Sequence, residues 1–151
     1  KDSSVQLVLC GDGEEKSALE ELAKELSIEK QIHFLGNRSD MKELYATSDM
    51  FVMASYREGL SRSIMEAMAS GLPCVVSDIR GNRDLIEDEV GGYLLAPDDE
   101  NGVAKCLKKL SSNGALRKKM GRANLDRIQE FDVAKVKDVI EKIYAEVLIG
   151  I

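Results

Sequence analysis

The sequence predicts an α/β fold, a parallel sheet with helices on both of its faces. Two observations carry this prediction. Short apolar, β-branched runs alternate with segments of helical periodicity, and turns rich in glycine or proline separate them at the spacing of βαβ units. A chain of 151 residues has room for one domain with a proper core, and residues 1–151 are read as a single domain.

The first strand is the run VQLVLC at residues 5–10, closed by Gly11, Asp12 and Gly13. From Glu14 the pattern turns helical, with Leu19, Leu22 and Leu26 on one face. Residues 31–35 make a second strand that ends at Gly36 and Asn37, and Ser39 or Asp40 is placed to cap a helix through Thr47. A third strand covers 50–53. The helix after Glu58 begins near Ser61, runs through Ala69 and stops at Gly71 and Pro73, a strong C-terminal signal. Strands at 73–77 and 92–96 flank a short helix at 82–87. Helices over 99–110, 115–129 and 133–148 close the chain. In the last of these Val136, Ile140, Ile143, Tyr144 and Val147 form an apolar stripe.

Composition narrows the function classes. Hydrophobic residues make up 44% and charged residues 32%, of mixed sign, which argues against disorder. No run of about 18 apolar residues occurs, and the first residues carry no secretory apolar region. A net charge of −6 disfavours general nucleic-acid binding. Cys10, Cys74 and Cys106 are far apart, with no CxxC spacing, and read as buried thiols acting as small hydrophobes in a reducing cytoplasm and not as a disulfide or zinc framework. Between Asn101 and Leu125 the charged residues are all basic: Lys105, Lys108, Lys109, Arg117, Lys118, Lys119 and Arg122. These are either solvated helix faces or a face turned toward an anionic surface or a partner domain.

Ligands of open parallel sheets bind at the carboxyl ends of the strands, here residues 11–13, 36–38, 55–61, 77–81 and 96–98. Gly11 and Gly13 lack the third glycine of a dinucleotide fingerprint, because Lys16 stands there. They form either a plain βα turn or one that brings backbone close to a phosphate or sugar. The segment Glu58-GLSRSIM-Glu66 is more informative. A strand ends, a polar loop follows, and a helix starts whose first-turn amides suit a diphosphate. Gly59 leaves the backbone open to a ligand. Arg62 and Glu66 share a helical face and form either a surface pair or, with Glu58, part of a grip on an elongated polar ligand such as a nucleotide-sugar.

This E-x7-E segment resembles the signature of the group 1 glycosyltransferases, retaining enzymes of the GT-B architecture. The order GDGEE, HFLGNRSDMKELYATSDMFVMAS, EGLSRSIMEAMASGLPCVVSD, GGYLLAPDD and terminal helices is similar along nearly the whole chain. The resemblance implies a Rossmann-like, nucleotide-sugar-binding C-terminal domain. It also implies that Glu58 is the catalytic residue at the donor sugar and that Glu66 binds the ribose. Gly59, Leu60, Ser61 and Arg62 would then meet the diphosphate or sugar, and Asn37 and Arg38 would border the nucleobase. Gly11 and Gly13 are carried as further donor-binding candidates.

A UDP- or GDP-sugar donor, no cofactor and no metal are expected, and no strict Asp-x-Asp pair occurs. So is a role in cell-envelope or capsular polysaccharide synthesis, in the cytoplasm or at the inner face of the membrane, with a lipid-linked acceptor. Ser61 and Arg62 depart from the glycine and aliphatic residue common in this family; Ser61 could cap the helix as well as bind a ligand. Relatives carry an Arg and a Lys on an earlier strand, and an N-terminal acceptor domain before it. The chain is therefore expected to be a fragment lacking that first strand and domain, and inactive alone. The alternative reading is a non-catalytic nucleotide-binding or assembly module of the same fold.

Overall fold

The structure is a computed structural model that describes residues 5–149. The chain divides into two compact units, Lys1–Glu43 and Leu44–Ile151. Every strand pair is parallel, as expected, but the strands fall into two sheets. One has the order β1-β2 and the other β3-β4-β5. Among the described residues no strand pairs with the second edge of β1 or of β3.

In the first unit β1 (Leu7–Cys10) runs beside β2 (Ile32–Gly36), with Leu7 opposite Ile32 and a register slip between Leu9 and Cys10. The strand starts two residues later than the sequence suggested, since Val5 and Gln6 lie outside the ladder. Helix α1 (Lys16–Glu25) connects the two strands. It buries Ala23, whereas Leu19, Leu22 and Leu26 are 44%, 47% and 49% exposed.

Helix α2 (Met41–Thr47) spans the division. In the second unit β3 (Phe51–Met53), β4 (Cys74–Ser77) and β5 (Gly92–Leu95) pair in register, Phe51 with Cys74 and Cys74 with Gly92. Successive side chains of a strand point to opposite faces, and all four residues of β4 are buried, so both faces of this strand are covered. Val75 and Tyr93 form one cluster with Leu110 of α5 (Glu100–Ser111) and Met120 of α6 (Gly114–Arg127). Asp99 caps α5 through the Gly102 amide, and Asn113 caps α6 through that of Leu116.

Helix α3 (Arg62–Ala69) ends where the sequence placed its stop. Gly71 takes φ +72°, and the amides of Gly71 and Leu72 return to the carbonyls of Met68 and Ala67. That is the double closure of a Schellman motif, which needs a left-handed residue at this point. Helix α4 (Arg80–Leu85) starts and stops two residues before the expected 82–87. Extended Ile79 opens it and its carbonyl takes the amides of Asn82 and Arg83, while Ile86 is extended again and closes it. After a 3-10 turn at Ile128–Phe131 the chain ends in α7 (Val133–Ile149). The apolar stripe of α7 is on the surface, from Val136 at 45% to Tyr144 at 66% exposed.

Candidate donor site

The segment between β3 and α3 is built on the carboxyl end of the sheet. The Ser55 amide donates to the buried Ser77 hydroxyl oxygen at the end of β4, 2.8 Å away. The Ser55 hydroxyl in turn donates to Glu58 Oε1 at 3.2 Å. Tyr56 reaches across to donate its phenol proton to Asp98, beyond β5, and that bond raises the phenol pKa. Tyr56, Arg57, Glu58, Gly59, Ile79 and Arg80 line an open cleft of about 480 Å³. Nothing stands within 4 Å of the position a Cβ would take on Gly59, so the backbone is accessible there.

Helix α3 begins with Ser61 at its N-cap position, but the side chain makes no capping bond. Ser61 is buried, and its hydroxyl points to the Met53 sulfur at 3.7 Å. The expected capping role is therefore not what this serine does. Its side chain faces inward, and the first-turn amides keep their donors free of it. Leu60 is 53% exposed. Arg62 and Glu66 approach only to 3.9 Å with exposed side chains, so the pair contributes at most about 1 kcal/mol.

In the first unit the Gly11 amide donates to the Gly36 carbonyl at 2.8 Å, which brings the loop after β1 to the loop after β2. Gly11 has φ +137°, and there is open space around both Gly11 and Gly13. Arg38 holds Asp40 in a two-pronged pair, with Nε to Oδ1 at 2.8 Å. The guanidinium keeps the Asp40 carboxyl below its usual range. Asn37 lies next to this pair in the same loop.

Sequence reasoning marked out the loops at the strand ends but singled out neither Tyr56, Arg57, Ile79 and Arg80 of the cleft nor the supporting Ser55 and Ser77. Their signal was position alone, at the carboxyl ends of β3 and β4. A second cleft, of about 260 Å³, is lined by Glu87, Gly91, Asn124, Asp126, Arg127 and Glu130, among others. It lies ahead of β5, at the amino end of that strand, away from where ligands of open sheets bind. Among the described residues no three His, Cys, Asp or Glu side chains are grouped to hold a metal ion, and no helix is long and apolar enough to cross a membrane. In the basic run Arg117 is used structurally, donating to the carbonyls of Leu110 and Ser111 and pairing with Asp49. Lys105, Lys108, Lys109, Lys118, Lys119 and Arg122 are exposed, and Lys109 lies over the Tyr93 ring.

The family model of the glycosyl transferases group 1 matches residues 1–127. The chain belongs to this glycosyltransferase family. It is 35% identical, over 95% of its length and 38% of the relative's, to N-acetyl-alpha-D-glucosaminyl L-malate synthase of Bacillus anthracis. It is 29% identical, over 95% of its length and 37% of the relative's, to an Escherichia coli galactosyltransferase. That enzyme is named as using UDP-Gal and alpha-D-GlcNAc-diphosphoundecaprenol. Among solved structures, Anabaena HepE in complex with UDP superposes with a TM-score of 0.86 at 27% identity, covering 94% of this chain and 41% of HepE. The chain thus spans well under half the length of these glycosyltransferases, and its Rossmann-like fold is that of the nucleotide-sugar-binding C-terminal domain of GT-B enzymes.

Proposed function

We propose that residues 1–151 act as the donor-binding domain of a retaining, hexosyl-type glycosyltransferase that moves a sugar from UDP-sugar to an acceptor. The observation that carries this reading is the cleft at the carboxyl ends of β3 and β4. There the Glu58 carboxylate and the bare Gly59 backbone stand directly ahead of the first turn of α3. The uridine nucleotide is favoured over GDP because similar solved proteins, HepE and Staphylococcus aureus TarM, are named as complexes with UDP.

In this reading Glu58 contacts the donor sugar and Glu66, one turn into α3, binds the ribose hydroxyls. Gly59, Leu60 and Ser61 present backbone to the diphosphate, with Arg62 at its edge. Asn37 and Arg38 border the base, while Gly11 and Gly13 bring backbone close to a phosphate or sugar. As the glycosidic bond to UDP breaks, the sugar gains oxocarbenium character and negative charge builds on the leaving diphosphate. Amides at a helix N-terminus, aided by its dipole, stabilise that charge without reorganising. No cofactor or metal has a part in this reading.

In the full-length protein of this reading, acceptor choice belongs to an N-terminal domain and the remaining diphosphate-neutralising cations to an earlier strand of this one, so residues 1–151 alone are expected to be inactive. The names of relatives that act on undecaprenol-linked sugars support a lipid-linked acceptor. They fit cell-envelope or capsular polysaccharide assembly, in the cytoplasm and peripheral at the membrane's inner face. Calorimetric titration of the full-length protein with UDP and several UDP-sugars tests the reading. The wild type is expected to bind, and Glu66→Ala to lose on the order of tenfold or more in affinity with unchanged circular dichroism. Equal binding by Glu66→Ala would sink the assignment.

A further inference from the structure

Glu58 sits in an exposed loop, yet three contacts hold it and its neighbours in place. The first is the Ser55 hydroxyl, which donates to Glu58 Oε1 at 3.2 Å. The second fixes Ser55 itself, whose amide donates to the Ser77 hydroxyl oxygen at 2.8 Å. Ser77 is 3% exposed and ends β4, the strand buried on both faces. The third lies on the other side of the loop. A Cβ on Gly81, in the first turn of α4, would stand 1.9 Å from the Gly59 carbonyl oxygen and 2.9 Å from that of Glu58. Gly81 thus lets α4 press directly on the peptide groups that carry the carboxylate. The turn that delivers Gly81 is tied to the same strand end, since Asn82 Nδ2 donates to the Ser77 carbonyl at 2.8 Å.

We propose that Ser55, Ser77 and Gly81 are positioning residues for Glu58. Ser77 anchors the backbone of Ser55, the Ser55 hydroxyl aims the Glu58 carboxylate, and the bare face of Gly81 sets the height of the Glu58 and Gly59 peptide above the sheet. This rests on the reading of Glu58 as the group that meets the donor sugar. The chemical logic is that of preorganisation. A carboxylate on an exposed loop samples many rotamers, and misplacement by about 1 Å is enough to cost on the order of a hundredfold in rate. A hydroxyl donor to a charged acceptor restricts that freedom, and a donor fixed through β4 transmits the rigidity of the core to the loop. The Ser55 arm of the grip acts on one end of the ligand only, whereas Gly81 also meets the Gly59 carbonyl, beside the diphosphate. The Ser55 hydroxyl meets Glu58 and not Glu66, so that arm bears on the sugar and not on the nucleotide.

The experiment is a double-variant cycle in the full-length protein, with the UDP-sugar that the wild type uses best from a panel of UDP-glucose, UDP-galactose and UDP-N-acetylglucosamine. Donor turnover is read as kcat and KM, and UDP affinity is read by calorimetry. Ser55→Ala is expected to lower kcat roughly tenfold while UDP affinity stays within about twofold, and Ser55→Thr, which keeps the hydroxyl, to recover most of the loss. In a Glu58→Ala background Ser55→Ala is expected to add nothing, because a residue that acts through Glu58 has no effect once Glu58 is gone. Ser77→Ala should follow the same pattern, whereas Gly81→Ala, whose Cβ would displace the Gly59 peptide as well, should lower kcat more severely and UDP affinity with it. Should either fail to fold, the Ser55 cycle decides alone, since Ser55 is outside the regular elements. Multiplying effects in the Ser55→Ala, Glu58→Ala double variant, or a fall in UDP affinity in step with kcat in Ser55→Ala, would overturn the proposal. A wild type that binds no UDP at all would instead remove the donor-binding reading, and this inference with it.

Discussion

Asn124 Nδ2 donates to the carbonyls of Leu72 and Gly91, at 2.7 Å each, and so ties α6 to the residues that enter β4 and β5. The side chain is fully buried, and its Oδ1 has no hydrogen-bond partner among the described residues. That oxygen lies against the Cα of Gly91, where a Cβ would approach it to 2.1 Å. The two bonds therefore depend on a glycine at 91 as much as on the amide.

Replacing Asn124 by Ala would leave two carbonyls at the sheet entrance without this donor and open a small cavity beside them. Unsatisfied buried groups cost about 1–3 kcal/mol each, so Asn124→Ala is expected to lose about 2–4 kcal/mol. A shift of the urea midpoint at unchanged slope measures it. Gly91→Ala should reach a similar loss by forcing the Asn124 side chain out of place. Near-wild-type midpoints in both variants would contradict the structural role given to this pair.

Such a contact explains what could and could not be read from the sequence. The alternation of strands and helices was legible because each element carries its own local pattern. The stop at Gly71 and Pro73 was legible too, since left-handed backbone and an immobile φ are properties of single residues. Asn124 was invisible for the opposite reason. It is a polar residue in a helix that reads as solvated, and its partners lie 52 and 33 positions earlier. The same holds for the candidate site. The Glu58 and Glu66 spacing and the family order pointed to the loop and the helix start. The support of that loop by Ser77 and Gly81 depends on β4 and α4 standing beside it, which no local pattern encodes. The boundaries of α4 were displaced by two residues because Ile79 and Ile86, both apolar, end the helix by their backbone conformation alone.

Ser61 gives a second prediction, set by what its side chain does not do. A capping serine replaced by Ala typically costs about 1 kcal/mol. Here, among the described residues, the hydroxyl bonds only to the Met53 sulfur. Ser61→Ala is therefore expected to change stability by less than about 0.5 kcal/mol by urea denaturation, below the loss a true cap would give. If the backbone of this residue meets the diphosphate, UDP affinity of the full-length protein should also stay within about twofold. A loss of a full kcal/mol would mean that the hydroxyl turns to the helix amides in solution.

Cys74 sets the pH dependence at the alkaline end. It is the first residue of β4 and fully buried, and that burial pushes its thiol pKa well above the ordinary value. The folded state thus favours the neutral thiol more strongly than the unfolded chain does. A group whose folded pKa is raised contributes stability that is fully present below the unfolded value and is lost as pH rises toward the folded one. For a thiol the loss begins near pH 8.5, at up to about 1.4 kcal/mol per pH unit for a single proton. Urea midpoints of the chain measured from pH 7 to 10 should therefore fall steeply above about pH 9. Cys74→Ala should start lower, because it leaves a small cavity, and then fall with a shallower slope. The difference between the two slopes isolates this thiol from Cys10 and Cys106, which are not the buried thiols the sequence suggested: Cys10 is exposed at the end of the edge strand β1 and Cys106 is half-buried, and burial raises their pKa values less. Parallel slopes in wild type and variant would show that the strand end opens readily enough for the thiolate to reach water, and would contradict the tightly closed β4 on which the Ser77 anchor of the Glu58 loop depends.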